Sequence, residues 1–261
     1  MRIGILHGIH EDIQSLKEAL LLLQKKNCDK IACVGDIIGY SVPYFGFFTH
    51  RDAHECIKLV KKHCDIVVAG NHDYHNVKKI PKITEFNYPT SWYTKPLRER
   101  ARIAKGRVHL MDDDLEPSLE KEDIQWLKKL PEYYILKGTP SILFSHFNYP
   151  NLVGDSRGKT PTPARSQKHI TFLQKNNCQI GACGHDCISG ITVCTKTKIV
   201  HKKFGTHKLP NEPFWFFSSW VGQGTFKNGV TILDTNKNEV EVIPLNAKPH
   251  KIPKVFQKKY E

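Results

Sequence analysis

The spacing of apolar and polar positions changes along the chain. Residues 2–6 are a short apolar run that reads as a strand. Over 11–26 the positions Ile13, Leu16, Leu20 and Leu23 recur at helical spacing. This predicts a helix with Glu11 and Asp12 in its first turn and lysines in its last, as the helix dipole favours. A strand at 30–34, a helix at 52–63 and a strand at 65–69 follow. Helices placed between short apolar strands predict parallel pairing, because parallel strands need crossover connections. The segment 74–117 is less regular, with Pro81, Pro89, Pro96 and a basic stretch at 95–107; it predicts a partly helical cap. Residues 119–129 read as an amphipathic helix capped by Ser118. Beyond it, strands are predicted at 132–137, 141–145, 178–183, 188–194, 197–203, 213–218, 229–234 and 238–243, with one helix near 164–175. Asp234 to Asn238 reads as a hairpin turn. Parallel pairing first and antiparallel pairing later predict two packed sheets with helices outside.

The chain has 261 residues, 39% hydrophobic and 25% charged, which suits one domain with a substantial core and argues against disorder. One domain over 1–245 and a basic extension over 246–261 are expected. The opening apolar run is too short for a signal peptide, and no run is long enough to span a bilayer. A cytoplasmic protein is expected. The 8 cysteines form no C-x-x-C pair and mostly sit beside apolar residues, so reduced, packed thiols are expected. The formal charge of +13 favours anionic partners such as phosphate esters or nucleic acid, although no dense lysine-arginine block marks a nucleic-acid patch.

Five predicted strands end in polar clusters: His7-Gly8-Ile9-His10, Gly35-Asp36, Gly70-Asn71-His72-Asp73, His146 after Ser145, and Gly184-His185-Asp186-Cys187. In an open α/β sheet, chemistry gathers at the carboxyl ends of strands. Each cluster alone has an ordinary structural reading, as a turn, a cap or a satisfied histidine. Together they supply the mixed nitrogen and oxygen ligands that divalent metals take.

The set GIHEDIQSL, GDIIGY, GNHD, FSH and GHDC resembles the calcineurin-like metallophosphoesterases, most closely the small bacterial branch carrying Gly-Asp-x-x-Gly-Tyr. The resemblance implies an α/β fold, a four-layer αββα sandwich of two mixed sheets flanked by helices. It also implies one or two divalent transition metals (zinc, manganese or iron) and hydrolysis of a phosphomonoester or phosphodiester by metal-activated hydroxide. By position, Asp36 matches the bridging aspartate. Asn71, His146 and His185 match the other ligands of the second metal. His72 matches the histidine that donates a hydrogen bond or proton to the ester, and Asp73 the carboxylate that orients it.

The first metal position departs from that pattern. Where the family has Asp-x-His, this chain has Gly8-Ile9-His10; where it has Gly-His-x-His, the last residue is Cys187. Three arrangements fit. His10, Asp36 and Cys187 could hold zinc as three protein ligands plus water, with His7, Asp12 or Asp186 replacing the lost carboxylate. The first position could be empty and one metal do the work. Or catalysis could be lost and the fold serve as an interaction module, as a relative does in the retromer coat. Tyr74, Tyr88, Trp92 and Tyr93 of the cap would either stack on a substrate ring or pack the cap, the second being favoured.

Overall fold

β1 (Arg2–Leu6) shows how the sequence specifies the layers. Ile3 and Ile5 face one way, into an apolar cluster with Phe144, Ala182 and Phe216; Leu6 faces the other way, into a cluster with Leu16, Leu23 and Ile57. Alternation in a strand thus puts one face of β1 between two sheets and the other beneath helices. Truncating a fully buried side chain such as Ile5 to alanine costs about 2–5 kcal/mol.

The structure is a computed structural model that describes residues 1–42, 44–46, 49–157 and 161–252. After β1 come α1 (Ile13–Lys25), β2 (Lys30–Cys33), α2 (Ala53–His63), β3 (Ile66–Val67), α3 (Asn71–Asn76), α4 (Leu97–Ala104) and α5 (Lys121–Lys129). They are followed by β4 (Tyr133–Leu136), β5 (Ile142–Ser145), α6 (Pro163–Lys175), β6 (Ile180–Cys183), β7 (Ile191–Cys194), β8 (Ile199–Lys202), β9 (Gly205–Lys208), β10 (Phe214–Phe217), β11 (Gly229–Asp234) and β12 (Glu239–Pro244).

Two six-stranded sheets result, ordered β3-β2-β1-β11-β12-β9 and β4-β5-β6-β10-β7-β8. β1, β2 and β3 are parallel and β11 joins β1 antiparallel; in the second sheet β5, β6 and β10 are parallel and β4, β7 and β8 antiparallel. Both sheets are mixed. α1, α2 and α5 cover the first sheet, α6 covers the second, and the cluster of Ile3, Phe144 and Phe216 fills the space between. The expected four-layer sandwich is the observed fold.

Several boundaries differ. Glu11 lies outside α1 in left-handed backbone (φ 68°), and Asp12 is the cap, accepting from Ser15 N at 2.9 Å. α5 is capped by Glu120 rather than Ser118. β9, short and largely exposed, carries no apolar alternation that would have revealed it. The cap is a 3₁₀ turn at Trp92–Thr94 and α4, built around Phe86, Trp92, Ala104 and Val108. Its aromatic residues pack rather than stand open: Trp92 is buried among them, and Tyr74 donates to Leu130 O at 2.8 Å. The basic extension falls partly outside the described residues; in the part described, His250 N donates to Gly224 O at 3.1 Å.

Candidate metal centre

The carboxyl ends of β1, β2, β5 and β6 meet at one place, and α3 begins there. Backbone geometry shows how tightly the loops turn. His10 (φ 48°), Asp36 (φ 54°) and His185 (φ 70°) all adopt left-handed backbone, which costs on the order of 1–3 kcal/mol for a side-chain-bearing residue. Such outliers cluster where a side chain must be aimed. Gly70 makes a close approach: a Cβ there would sit 2.1 Å from Asp36 Oδ1 and 2.4 Å from Asp36 N.

Among the described residues, two groups of side chains have ligand atoms within 4.8 Å of one another: Asp36 with His146 and His185, and Asp36 with His10 and His72. Asp36 is common to both. In the first group, His146 Nε2 is 3.1 Å from Asp36 Oδ2, and His185 Nδ1 is 3.2 Å from His146 Nε2. Asn71 joins it with Oδ1 3.1 Å from His185 Nδ1, while its Nδ2 donates to Met111 Sδ at 3.5 Å. His146 Nδ1–H donates to Val34 O at 2.7 Å, so its Nε2 is the nitrogen turned inward. That is how a protein fixes the tautomer of a metal-ligating imidazole.

Electrostatics agrees for Asp36 and His185 of this donor set. Burial opposes the charge on Asp36, but His146 and His72 outweigh burial and hold the carboxyl well below its usual range. Burial, with His146 and His109 beside it, pushes His185 well below the ordinary imidazole value. An ionised carboxylate, a neutral imidazole, an amide oxygen and a second imidazole fixed by a carbonyl are the donors a divalent transition metal takes. Asp36, Asn71, His146 and His185 therefore fit a metal ion.

The first position is less complete. His10 Nδ1–H donates to Gly39 O at 2.7 Å, which turns Nε2 toward Asp36 Oδ2 at 3.8 Å. Its ring stacks on Phe45, with centroids 4.3 Å apart. Burial, then the neighbouring His72, lowers His10 to about 4. Gly8 brings no ligand, and a Cβ there would lie 3.2 Å from Trp220 Cβ. Cys187 is in neither group. It packs against the aromatic cluster of Tyr40, Phe45 and Trp220, and burial pushes its thiol up. The expected replacements are also absent from both groups. Asp12 is committed to Ser15 N and to Gln223 N (2.7 Å). His7 Nδ1 is 3.0 Å from Ser218 Oγ, and Asp186 joins no described metal group.

The expectation for Asp73 needs correction. Its carboxylate is fully buried and accepts backbone N–H bonds from Asp36 (2.9 Å), Ile37 (2.9 Å), Ile38 (3.2 Å) and Gly70 (2.8 Å). It fastens the loop after β2 to the start of α3. The carboxylate on His72 is that of Asp114, with Oδ2 2.6 Å from His72 Nδ1. Burial works against the charge on His72, but Asp114 and then Asp36 outweigh it and raise its pKa to about 9. One further acidic role was not legible in the sequence. Glu11 accepts from Gly39 N at 2.9 Å and pairs with Arg51 at 2.5 Å, bracing the loops that carry His10 and Asp36.

Two mixed six-stranded sheets with histidine, aspartate and asparagine side chains gathered at their strand ends match the metallophosphoesterase fold. Comparison with known proteins agrees. The family description of calcineurin-like phosphoesterases matches residues 3–189. The metallophosphoesterase of Sphaerobacter thermophilus shares the fold over 95% of this chain and 89% of its own, with TM-score 0.62 and 18% identity. The hypothetical protein PH1004 of Pyrococcus horikoshii does so over 99% and 91%, with TM-score 0.57 and 14% identity. An uncharacterised protein of Methanocaldococcus jannaschii, MJ0912, is 31% identical over 72 residues, which span 28% of this chain and 26% of that protein. The chain belongs to the calcineurin-like phosphoesterase family. No helix among the described residues is long and apolar enough to cross a membrane.

Proposed function

We propose that this protein hydrolyses a phosphate ester, a monoester or a diester, from a metal held by Asp36, Asn71, His146 and His185, with the first metal position altered. The convergence of Asp36, His146 and His185 within 4.8 Å carries the reading. A bound zinc, manganese or iron ion there supplies Lewis acidity: it activates water and offsets charge developing on the phosphoryl oxygens. The chain's own residues do the rest. Asp36, as the ligand common to both positions, fixes where the ester's phosphorus sits relative to His72. His72 Nε2–H faces the leaving oxygen and gives it a proton as the P–O bond breaks. His10 remains beside Asp36 as the surviving ligand of the first position.

The test is hydrolysis of p-nitrophenyl phosphate and bis(p-nitrophenyl) phosphate by protein stripped with chelator and then reloaded with zinc, manganese or iron(II). Turnover that vanishes on stripping and returns on reloading is expected. Turnover that survives stripping contradicts the reading. So does inactivity with every metal in protein that binds a stable partner, which selects the interaction-module alternative. The +13 charge suits an anionic substrate. A nucleic-acid substrate would add steep salt dependence of binding.

A further inference from the structure

The irregular stretch ahead of α5 reaches the metal centre. Asp114 is nearly buried, and its Oδ2 lies 2.6 Å from His72 Nδ1. Three contacts pin the chain around it. Leu115 pairs with Tyr40 as an isolated bridge, its N–H donating to Tyr40 O at 2.8 Å. Arg51 donates to Leu115 O at 3.2 Å and to Glu116 O at 2.6 Å while it pairs with Glu11, the residue after His10. Arg100 of α4 pairs with Asp112 through both terminal guanidinium nitrogens. The carboxylate is therefore held from the cap side and from the metal-centre side at once.

The ring it meets is confined from behind. Gly39 has φ +95°, and a Cβ there would sit 2.6 Å from His72 Cβ and 2.6 Å from His72 Nδ1. The absence of a side chain at Gly39 lets the ring lie against the Gly-Asp-x-x-Gly-Tyr loop. With Nδ1–H bonded to Asp114, the ring is left with Nε2 on its free side.

We propose that Asp114 is the positioning residue for His72: the cap carries it across the cleft so that His72 presents Nε2–H to the leaving oxygen of the ester. The proposal rests on the phosphoesterase reading. As the P–O bond breaks, the proton on Nε2 passes to the leaving alkoxide; the attacking water supplies the new oxygen on phosphorus and gives its surplus proton to solvent. His72 is left neutral with Nδ1–H in place, Asp114 stays ionised throughout, and Nε2 is reprotonated from solvent after product leaves. The carboxylate orients the imidazole, as carboxylates bonded to catalytic histidines do. Docking of the cap and assembly of the proton donor are then one event, because Asp114 lies in the segment that Arg51 and Arg100 fasten down.

The experiment compares Asp114→Asn, Asp114→Ala, His72→Ala and the His72→Ala/Asp114→Ala double variant on two esters that differ only in leaving group, nitrophenol or a simple alkyl alcohol. Metal content is measured in each. A nitrophenolate leaves without a proton; an alkoxide needs one. The expected result is a loss on the order of 10²-fold or more on the alkyl ester, below about tenfold on the nitrophenyl ester, and a double variant no slower than His72→Ala alone. Equal losses on both esters overturn the proposal, since a carboxylate that only pins the cap slows both alike. Additive losses in the double variant overturn it too. Both of those outcomes leave the phosphoesterase reading standing, whereas wild-type protein that hydrolyses neither ester overturns both.

Discussion

Replacing Asp73 by asparagine separates a loop clamp from a catalytic partner. Oδ1 of Asp73 accepts from Ile37 N and Ile38 N; Oδ2 accepts from Asp36 N and Gly70 N. Asparagine keeps one acceptor oxygen and turns the other position into an NH₂ donor facing two N–H donors. Hydrogen bonds to a charged group contribute about 1.5–3 kcal/mol each, so losing two costs about 3–6 kcal/mol. Removing the charge also relieves repulsion with Asp36, which burial magnifies, and this offsets part of the loss. A net destabilisation of about 3 kcal/mol is expected, or a melting midpoint lower by roughly 6–12 °C for a chain of this size. The assay is thermal and denaturant unfolding of Asp73→Asn and wild type in chelator, so that metal does not contribute. A variant that unfolds within about 1 kcal/mol of wild type, yet loses turnover, would refute the clamp and restore Asp73 as the partner of His72.

Two more outcomes are expected. Cys187→Ala should leave metal content unchanged and cost stability only through lost packing against Tyr40, Phe45 and Trp220, about 1–2 kcal/mol; loss of a metal equivalent on elemental analysis would show the thiol to be a ligand. His169, fully buried on α6 and accepting from Tyr149 N at 2.9 Å, is lowered to about 3 by burial. Its unfolded value is about 6.5, so the unfolded chain binds the extra proton first. The stability this group contributes is present above about pH 6.5 and lost as pH falls toward about 3. His169→Asn, which keeps an acceptor for Tyr149 N, should flatten the acid limb of the stability–pH curve; an unchanged slope in denaturant titrations across pH 4–7 would contradict this.

The fold was largely legible because strand alternation and helical spacing report which face each element buries, and every predicted strand appears. Asp36, Asn71 and His185 stood out as candidates because glycine followed by a polar residue at a strand end leaves a mark in sequence. Asp114 left none. It sits in the run Asp112-Asp113-Asp114, within a segment that has no period to say which of the three turns inward; Asp112 goes to Arg100 and Asp114 to His72. Asp73 misled for a different reason. A carboxylate next to a histidine in sequence suggests a pair, but on a helix adjacent residues point apart, so Asp73 turns under the loop while His72 faces the cleft. Glu11 read as helix because its charge suited a first turn; its left-handed backbone is set by Arg51 and Gly39 N, both distant in sequence.

The central claim is that Asp36 anchors a metal on which turnover depends. Wild type and Asp36→Asn, purified without chelator, should be assayed side by side for metal equivalents and for phosphate-ester hydrolysis. The account predicts bound transition metal with turnover in wild type, and loss of both in a folded Asp36→Asn. Full metal content and full turnover in Asp36→Asn would contradict it.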